Sequence, residues 1–267
     1  MYLIRNSSKI RVGAVSYLNT VPLIWGMLHG AERERVELSF AIPSVCAAEV
    51  EQERVQIGLV PVAEIARQEL EIVPGVGISC SGPVRSILLF SRVPWKRVHS
   101  VAGDIGSRTS IELARVILRE RYGVEPRFTL EEPVLDEMLA TSEAALIIGD
   151  PALRIAPQDT PYEWLDLGAE WMALTGLPMV FAAWAGKPGI PIDSLQRVTL
   201  GSYEFGKARI QEIVERESSS RQIPELLATR YLREHIRFEL GTNEKRGLRA
   251  FLDLADLCPH TALAFRA

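Results

Sequence analysis

The residues of this chain able to do chemistry stand directly after apolar runs. "RVGAVSYLNTVPL" (11–23) leaves its first run for Ser16, Tyr17, Asn19 and Thr20 before the apolar pattern restarts. Ser44 stands at the next strand–helix junction, Ser86 lies in a long extended run, and "GSRTS" (106–110) supplies Ser107, Arg108, Thr109 and Ser110. Asp150 closes "AALIIGD" (144–150), and Thr175 precedes a second long apolar run. Hydroxyls, an amide and a guanidinium at such places bind and orient a small ligand. In open α/β sheets that ligand sits beyond the carboxyl ends of the strands.

Local structure competes for most of these residues. Asn19 or Thr20 would cap the first helix, Ser44 a second and Asp150, ahead of Pro151, a third, each cap being worth roughly 1 kcal/mol. Thr109 and Glu112 read as a T-x-x-E capping box before the stripe Ile111, Ala114, Ile117 and Leu118. That leaves Ser107 and Ser110 beside a helix N-terminus, where free N–H groups and the helix dipole favour a carboxylate. Ser86, among apolar neighbours, needs either a buried partner or a place in a cleft.

Other chemistries find no support. The chain has no G-x-x-x-x-G-K-[ST], no G-x-G-x-x-G after a strand, no H-E-x-x-H and no G-x-S-x-G, and no paired carboxylates stand out. Cys46, Cys80 and Cys258 are far apart, as are His29, His99, His235 and His260. Neither a metal nor a Cys–His nucleophile is expected, and the thiols should be reduced and mostly buried. The net charge of −4 is spread without a basic stripe, so nucleic acid is not expected as a partner. No window approaches ~18 apolar residues, so no membrane span is expected. "MYLIRNSSKIRVGAV" lacks the apolar segment of a secretory signal, and a cytoplasmic location is expected.

The elements that must position these residues alternate. Strands at 9–15, 36–41 and 55–60 are interleaved with helices at 20–30, 44–53 and 61–68, the last opening on Pro61. A second series runs from 100 to 168, and the pattern from 191 onward is helical. Extended runs near 84–92 and 178–186 join the two series. The expected architecture is therefore α/β with two lobes and a double hinge, each lobe a mixed, mostly parallel sheet flanked by helices. Residues 1–91 plus 184–267 would form one lobe and 92–183 the other. Pattern alone stops at a two-lobed protein that clamps a small anionic ligand.

"RVGAVSYLNTVPL", "IGLVPVAEI", "GPVRS", "GSRTSIELARVIL", "LIIGDPALR" and "DLGAEWMALTGLPMVFAAWA" occur in this order. The ordered set, spanning about residues 10–186, resembles the chorismate dehydratases of the futalosine route to menaquinone. The resemblance implies a periplasmic-binding-protein-like type II fold. It also implies loss of water from chorismate to give 3-[(1-carboxyvinyl)oxy]benzoate, with no cofactor. The family's "YLN" and "GPV-x-S" motifs carry catalysis over to Asn19 and Ser86. Tyr17, Ser44, Ser107, Arg108, Thr109, Ser110, Asp150 and Thr175 would hold the substrate. The family pattern has Phe where this chain has Met179, a difference of packing. A non-catalytic solute-binding protein of the same fold and the sister 1,4-dihydroxy-6-naphthoate synthase are the alternatives. The oligomeric state is left open, a homodimer included.

Overall fold

The computed structural model describes residues 9–257; Cys258 and His260 lie outside them. Eleven strands form two sheets among the described residues. The first sheet contains β1 (Ile10–Val15), β2 (Val36–Ala41), β3 (Ile57–Pro61), β4 (Glu71–Cys80), β10 (Met179–Gly186) and β11 (Arg237–Glu239), in the order β11-β4-β10-β3-β1-β2. The second contains β5 (Ile87–Ser91), β6 (Ser100–Asp104), β7 (Arg127–Glu131), β8 (Ala144–Ile148) and β9 (Glu163–Asp166), in the order β7-β6-β8-β5-β9. Both sheets are mixed. β1 pairs parallel with β2 and β3, and β6 with β7 and β8. β10 and β5 enter antiparallel to their neighbours, as β11 does to β4, so the sheets are not mostly parallel: three of five pairs in the first and two of four in the second are antiparallel.

Sheet membership changes at 81–86 and again at 167–178. β5 thus belongs to the second sheet and β10 wholly to the first, whereas boundaries at 91/92 and 183/184 were expected. An extended run is apolar whichever sheet it joins, so its sequence does not reveal the crossing point.

The helices that follow the strands are α1 (Val21–His29), α2 (Pro43–Glu51), α3 (Val62–Arg67), α4 (Thr109–Ile117), α5 (Leu135–Thr141), α6 (Gly149–Arg154) and α7 (Leu167–Thr175). The tail adds α8 (Ile192–Lys207), α9 (Ile210–Arg221), α10 (Glu225–Arg230), a π-helical turn (Tyr231–His235) and α11 (Thr242–Leu254). β3, β5 and β8 are buried along their whole length, as strands covered on both faces must be. Gly13 and Gly58 are cross-strand partners, and a Cβ on either would meet Cys46 Sγ at 3.1 or 2.9 Å. The missing side chains let α2 lie close against the sheet. Cys46 and Cys80 are free and buried, and burial pushes the Cys46 thiol up to about 12.

One continuous core runs under both sheets. A smaller one, including Leu88, Phe90, Met138 and Ile147, covers the other face of the second sheet. The tail is anchored on the first sheet. Met27 N–H donates to Ser202 Oγ at 3.0 Å, joining α1 to α8, and Trp171 on α7 meets Phe251 of α11 edge-on.

Several local expectations give way to long-range partners. Pro61 ends β3 instead of opening α3. Thr109 is the first residue of α4 and makes no cap; its hydroxyl accepts from Ala63 N–H at 3.2 Å. Glu112, the other half of the expected box, pairs with Arg67. Asp150 lies inside α6, and Ser44 lies inside α2, which Ile42 precedes. Thr20 stands at the cap position of α1, yet its buried hydroxyl makes no capping bond.

Candidate active site

The carboxyl ends of β1, β3 and β8 and the start of α4 line a partly open cavity of roughly 70 Å³ between the sheets. Val15, Leu59, Ile78, Ile148 and Phe181 give it apolar walls. Its polar side chains are Tyr17, Asn19, Ser86, Arg108, Thr109 and Ser110. Arg108 and the Tyr17 phenol are thus its only ionisable groups; no carboxylate, imidazole, thiol or amine faces it among the described residues.

Asn19 sits in the 3-10 turn Leu18–Thr20 between β1 and α1, and Ser86 stands one residue before β5. A third residue joins them. Asn19 Nδ2 donates to the Tyr231 hydroxyl at 2.9 Å, and that hydroxyl donates to Ser86 Oγ at 2.8 Å. Tyr231 is 1% exposed, and its burial raises the phenol pKa well above the ordinary value. Asn19 Oδ1 is buried without a protein partner.

The backbone ahead of Ser86 is held by Asp166, whose carboxylate accepts from Val84 and Arg85 N–H at 2.9 and 2.6 Å while also capping α7. Arg85 takes a left-handed φ of +64° there, and its guanidinium donates to the carbonyls of Ala152 and Ile155. Ser86 is therefore presented by a braced segment.

Across the cavity, α4 points its N-terminus at the same space. The first N–H groups of a helix have no intrahelical acceptor, and the dipole adds partial positive charge. Ser107 Oγ is buried there without a partner, Thr109 and Ser110 line the wall, and Arg108 supplies a full charge. One Arg108 nitrogen donates to the carbonyls of Ile105 and Ser107, fixing the guanidinium at the rim. Together these groups give this side of the cavity a positive charge and polar hydroxyls.

Tyr17 packs its ring over Gly149, where a Cβ would lie 2.7 Å from the ring, and Gly149 takes a left-handed φ of +64°. Burial, and then the carboxylates of Asp104 and Asp150, raise the Tyr17 pKa. Asp104 itself accepts from Gly106 and Ile148 N–H at 2.9 and 3.3 Å, and burial raises its pKa.

Of the residues expected from the sequence, Tyr17, Asn19, Ser86, Arg108, Thr109 and Ser110 meet at the cavity, with Ser107 just behind the wall. Ser44 does not line it, and α2 presents Pro43 there instead. Thr175 ends α7, where its hydroxyl donates to the Trp171 carbonyl and accepts from Leu177 N–H. Asp150 binds protein, accepting from Leu18 N–H at 2.9 Å and from Arg221 at 2.6 Å. Tyr231 and Asp166 were not expected; "RYLREH" reads as ordinary amphipathic helix, and only the return of the tail places its Tyr.

The sequence matches the model of a family described as "Menaquinone biosynthesis" over residues 10–256. It is 29% identical over 207 residues to a chorismate dehydratase of Thermus thermophilus, covering 72% of this chain and 75% of that protein. Identity to a chorismate dehydratase of Campylobacter jejuni is 25% over 245 residues, covering 90% and 95%. A solved structure from Archaeoglobus fulgidus superposes with a TM-score of 0.73 at 15% identity, covering 94% of this chain and 98% of that one. The periplasmic aliphatic sulphonate binding protein SsuA of Escherichia coli gives 0.61 at 15%, covering 93% and 86%. The structural likeness establishes the two-lobed periplasmic-binding-protein-like fold.

Proposed function

The chain belongs to the menaquinone-biosynthesis family, and from that premise we propose that it is a chorismate dehydratase. It removes water from chorismate to give 3-[(1-carboxyvinyl)oxy]benzoate, a carbon–oxygen elimination feeding the futalosine route. It works in the cytoplasm. The observation that carries this reading is the division of the cavity. A cationic helix N-terminus stands on one side, a neutral amide and hydroxyl on the other, and among the described residues no side-chain carboxylate, imidazole or amine lies between them.

That division suits the reaction. The C3 hydrogen of chorismate is vinylogous to the ring carboxylate, so charge developing on its removal spreads into that carboxylate. Arg108 and the α4 N-terminus, with Ser107, Thr109 and Ser110, hold the ring carboxylate and stabilise that charge. Asn19 and Ser86 then meet the C3–C4 edge, orienting the substrate without adding charge, and Ser86 donates to the departing C4 hydroxyl. The proton acceptor is the substrate's own enolpyruvyl carboxylate. Tyr17, with its pKa raised by burial, is held protonated and serves as wall. The C3–H and C4–O bonds break, the C3=C4 bond forms, and the proton and hydroxide leave as one water. The ring becomes aromatic with no change of redox state, so the reaction asks for no cofactor.

Incubation with chorismate tests the reading. The expected result is the ultraviolet absorption of an aromatic benzoate together with one equivalent of water-loss product. Binding without conversion would identify a solute-binding protein of the same fold and overturn the enzymatic reading.

A further inference from the structure

We propose that Tyr231, supplied by the helical tail, is a positioning residue that fixes which of Asn19 and Ser86 acts as donor and which as acceptor toward the substrate. The role rests on the catalytic reading of that pair given above. A phenol has one proton. With its oxygen accepting from Asn19 Nδ2 at 2.9 Å, that proton is committed to Ser86 Oγ at 2.8 Å. Ser86, accepting from the phenol, keeps its own proton for the cavity. Asn19, donating through nitrogen, turns toward the substrate an amide oxygen that has no protein partner.

Without the phenol this polarity is lost. The Asn19 amide could turn over, exchanging oxygen for nitrogen, and Ser86 could spend its proton on the amide. The site would then offer an interchangeable pair instead of one donor and one acceptor. A purely packing role would need no hydroxyl, since the ring is 1% exposed and Phe would fill the same space. Burial keeps the phenol protonated, so the relay does not titrate away.

Tyr231→Phe, Ser86→Ala and their double variant test this against wild-type turnover of chorismate. The expected result for Tyr231→Phe is a kcat lower by roughly 10- to 100-fold, the scale of misplacing a reacting group. KM should stay within about 2-fold and the circular dichroism spectrum should be native. In the Ser86→Ala background the same change should cost less than in the wild type, because the Ser86 arm of the relay is already gone and only the hold on Asn19 is left to lose. Wild-type kcat in Tyr231→Phe, or full multiplication of the two losses, overturns the role. A wild-type chain that leaves chorismate unchanged overturns the function and the role with it. Should the Phe variant not fold, difluorotyrosine at 231 keeps the ring and sharpens the donor. A changed kcat at constant KM is then expected, and an unchanged kcat overturns the role.

Discussion

The Asp150 carboxylate and the Arg221 guanidinium meet at 2.6 Å, the one on α6 behind the second sheet, the other at the end of α9 in the tail. The same carboxylate accepts from Leu18 N–H, and the same guanidinium donates to the Ser16 carbonyl at 2.7 Å. The turn that presents Asn19 is thereby clasped from both sides. Asp150→Ala leaves the buried Leu18 N–H without its acceptor and Arg221 with Glu217 as its remaining carboxylate partner. It should lower the unfolding free energy by about 1–3 kcal/mol and raise KM. Urea denaturation checks the first effect and steady-state kinetics the second; unaltered stability would show that the pair contributes nothing.

Asn19→Ala should lower kcat by at least ~100-fold, the scale for losing an oriented polar group in a transition state. Tyr231 would still donate to Ser86, so the fold should survive, and the thermal midpoint reports on that. Wild-type-like turnover rules out the role assigned to Asn19.

Gly149→Val places a branched side chain where a first carbon already lies 2.7 Å from the Tyr17 ring, at a φ that valine rarely adopts. Tyr17 must move off its shelf and narrow the cavity. The expected outcome is a loss of at least ~1 kcal/mol in stability and at least ~10-fold weaker product binding, read by isothermal titration calorimetry.

With Tyr17 and Tyr231 both raised in pKa by burial, neither phenol ionises near neutrality. The kcat profile should therefore be flat from about pH 6 to about 9. It should fall only on the acid side, as the substrate carboxylate approaches its own pKa of about 3.5. A limb centred near pH 7 would require a general base from the chain and contradict the substrate-assisted mechanism.

What the sequence made legible was local or periodic. β1, β3 and β8 are apolar enough to be read directly, and the polar residues after β1 and β6 do gather at one cavity, whereas Asp150 after β8 does not. Capping signals misled because a hydroxyl or carboxylate at a helix start has the same appearance whatever it binds. Thr109 reaches Ala63, 46 residues away, and Asp150 reaches Leu18, 132 away. Tyr231 was illegible for the opposite reason. Nothing in "RYLREH" departs from a helix that buries one face, and its partners lie 145 and 212 residues upstream.

That separation bears on how the protein comes into being. A ribosome must deliver both Asn19 and Tyr231, 212 positions apart, before the hydroxyl relay can close. Bringing such distant segments together is slow compared with forming neighbouring helices. Every strand of the second sheet, and all of the first but β11, is thus made before the residue that closes the relay. Termination shortly before residue 231 would leave every strand but β11 while removing the phenol that joins Asn19 to Ser86.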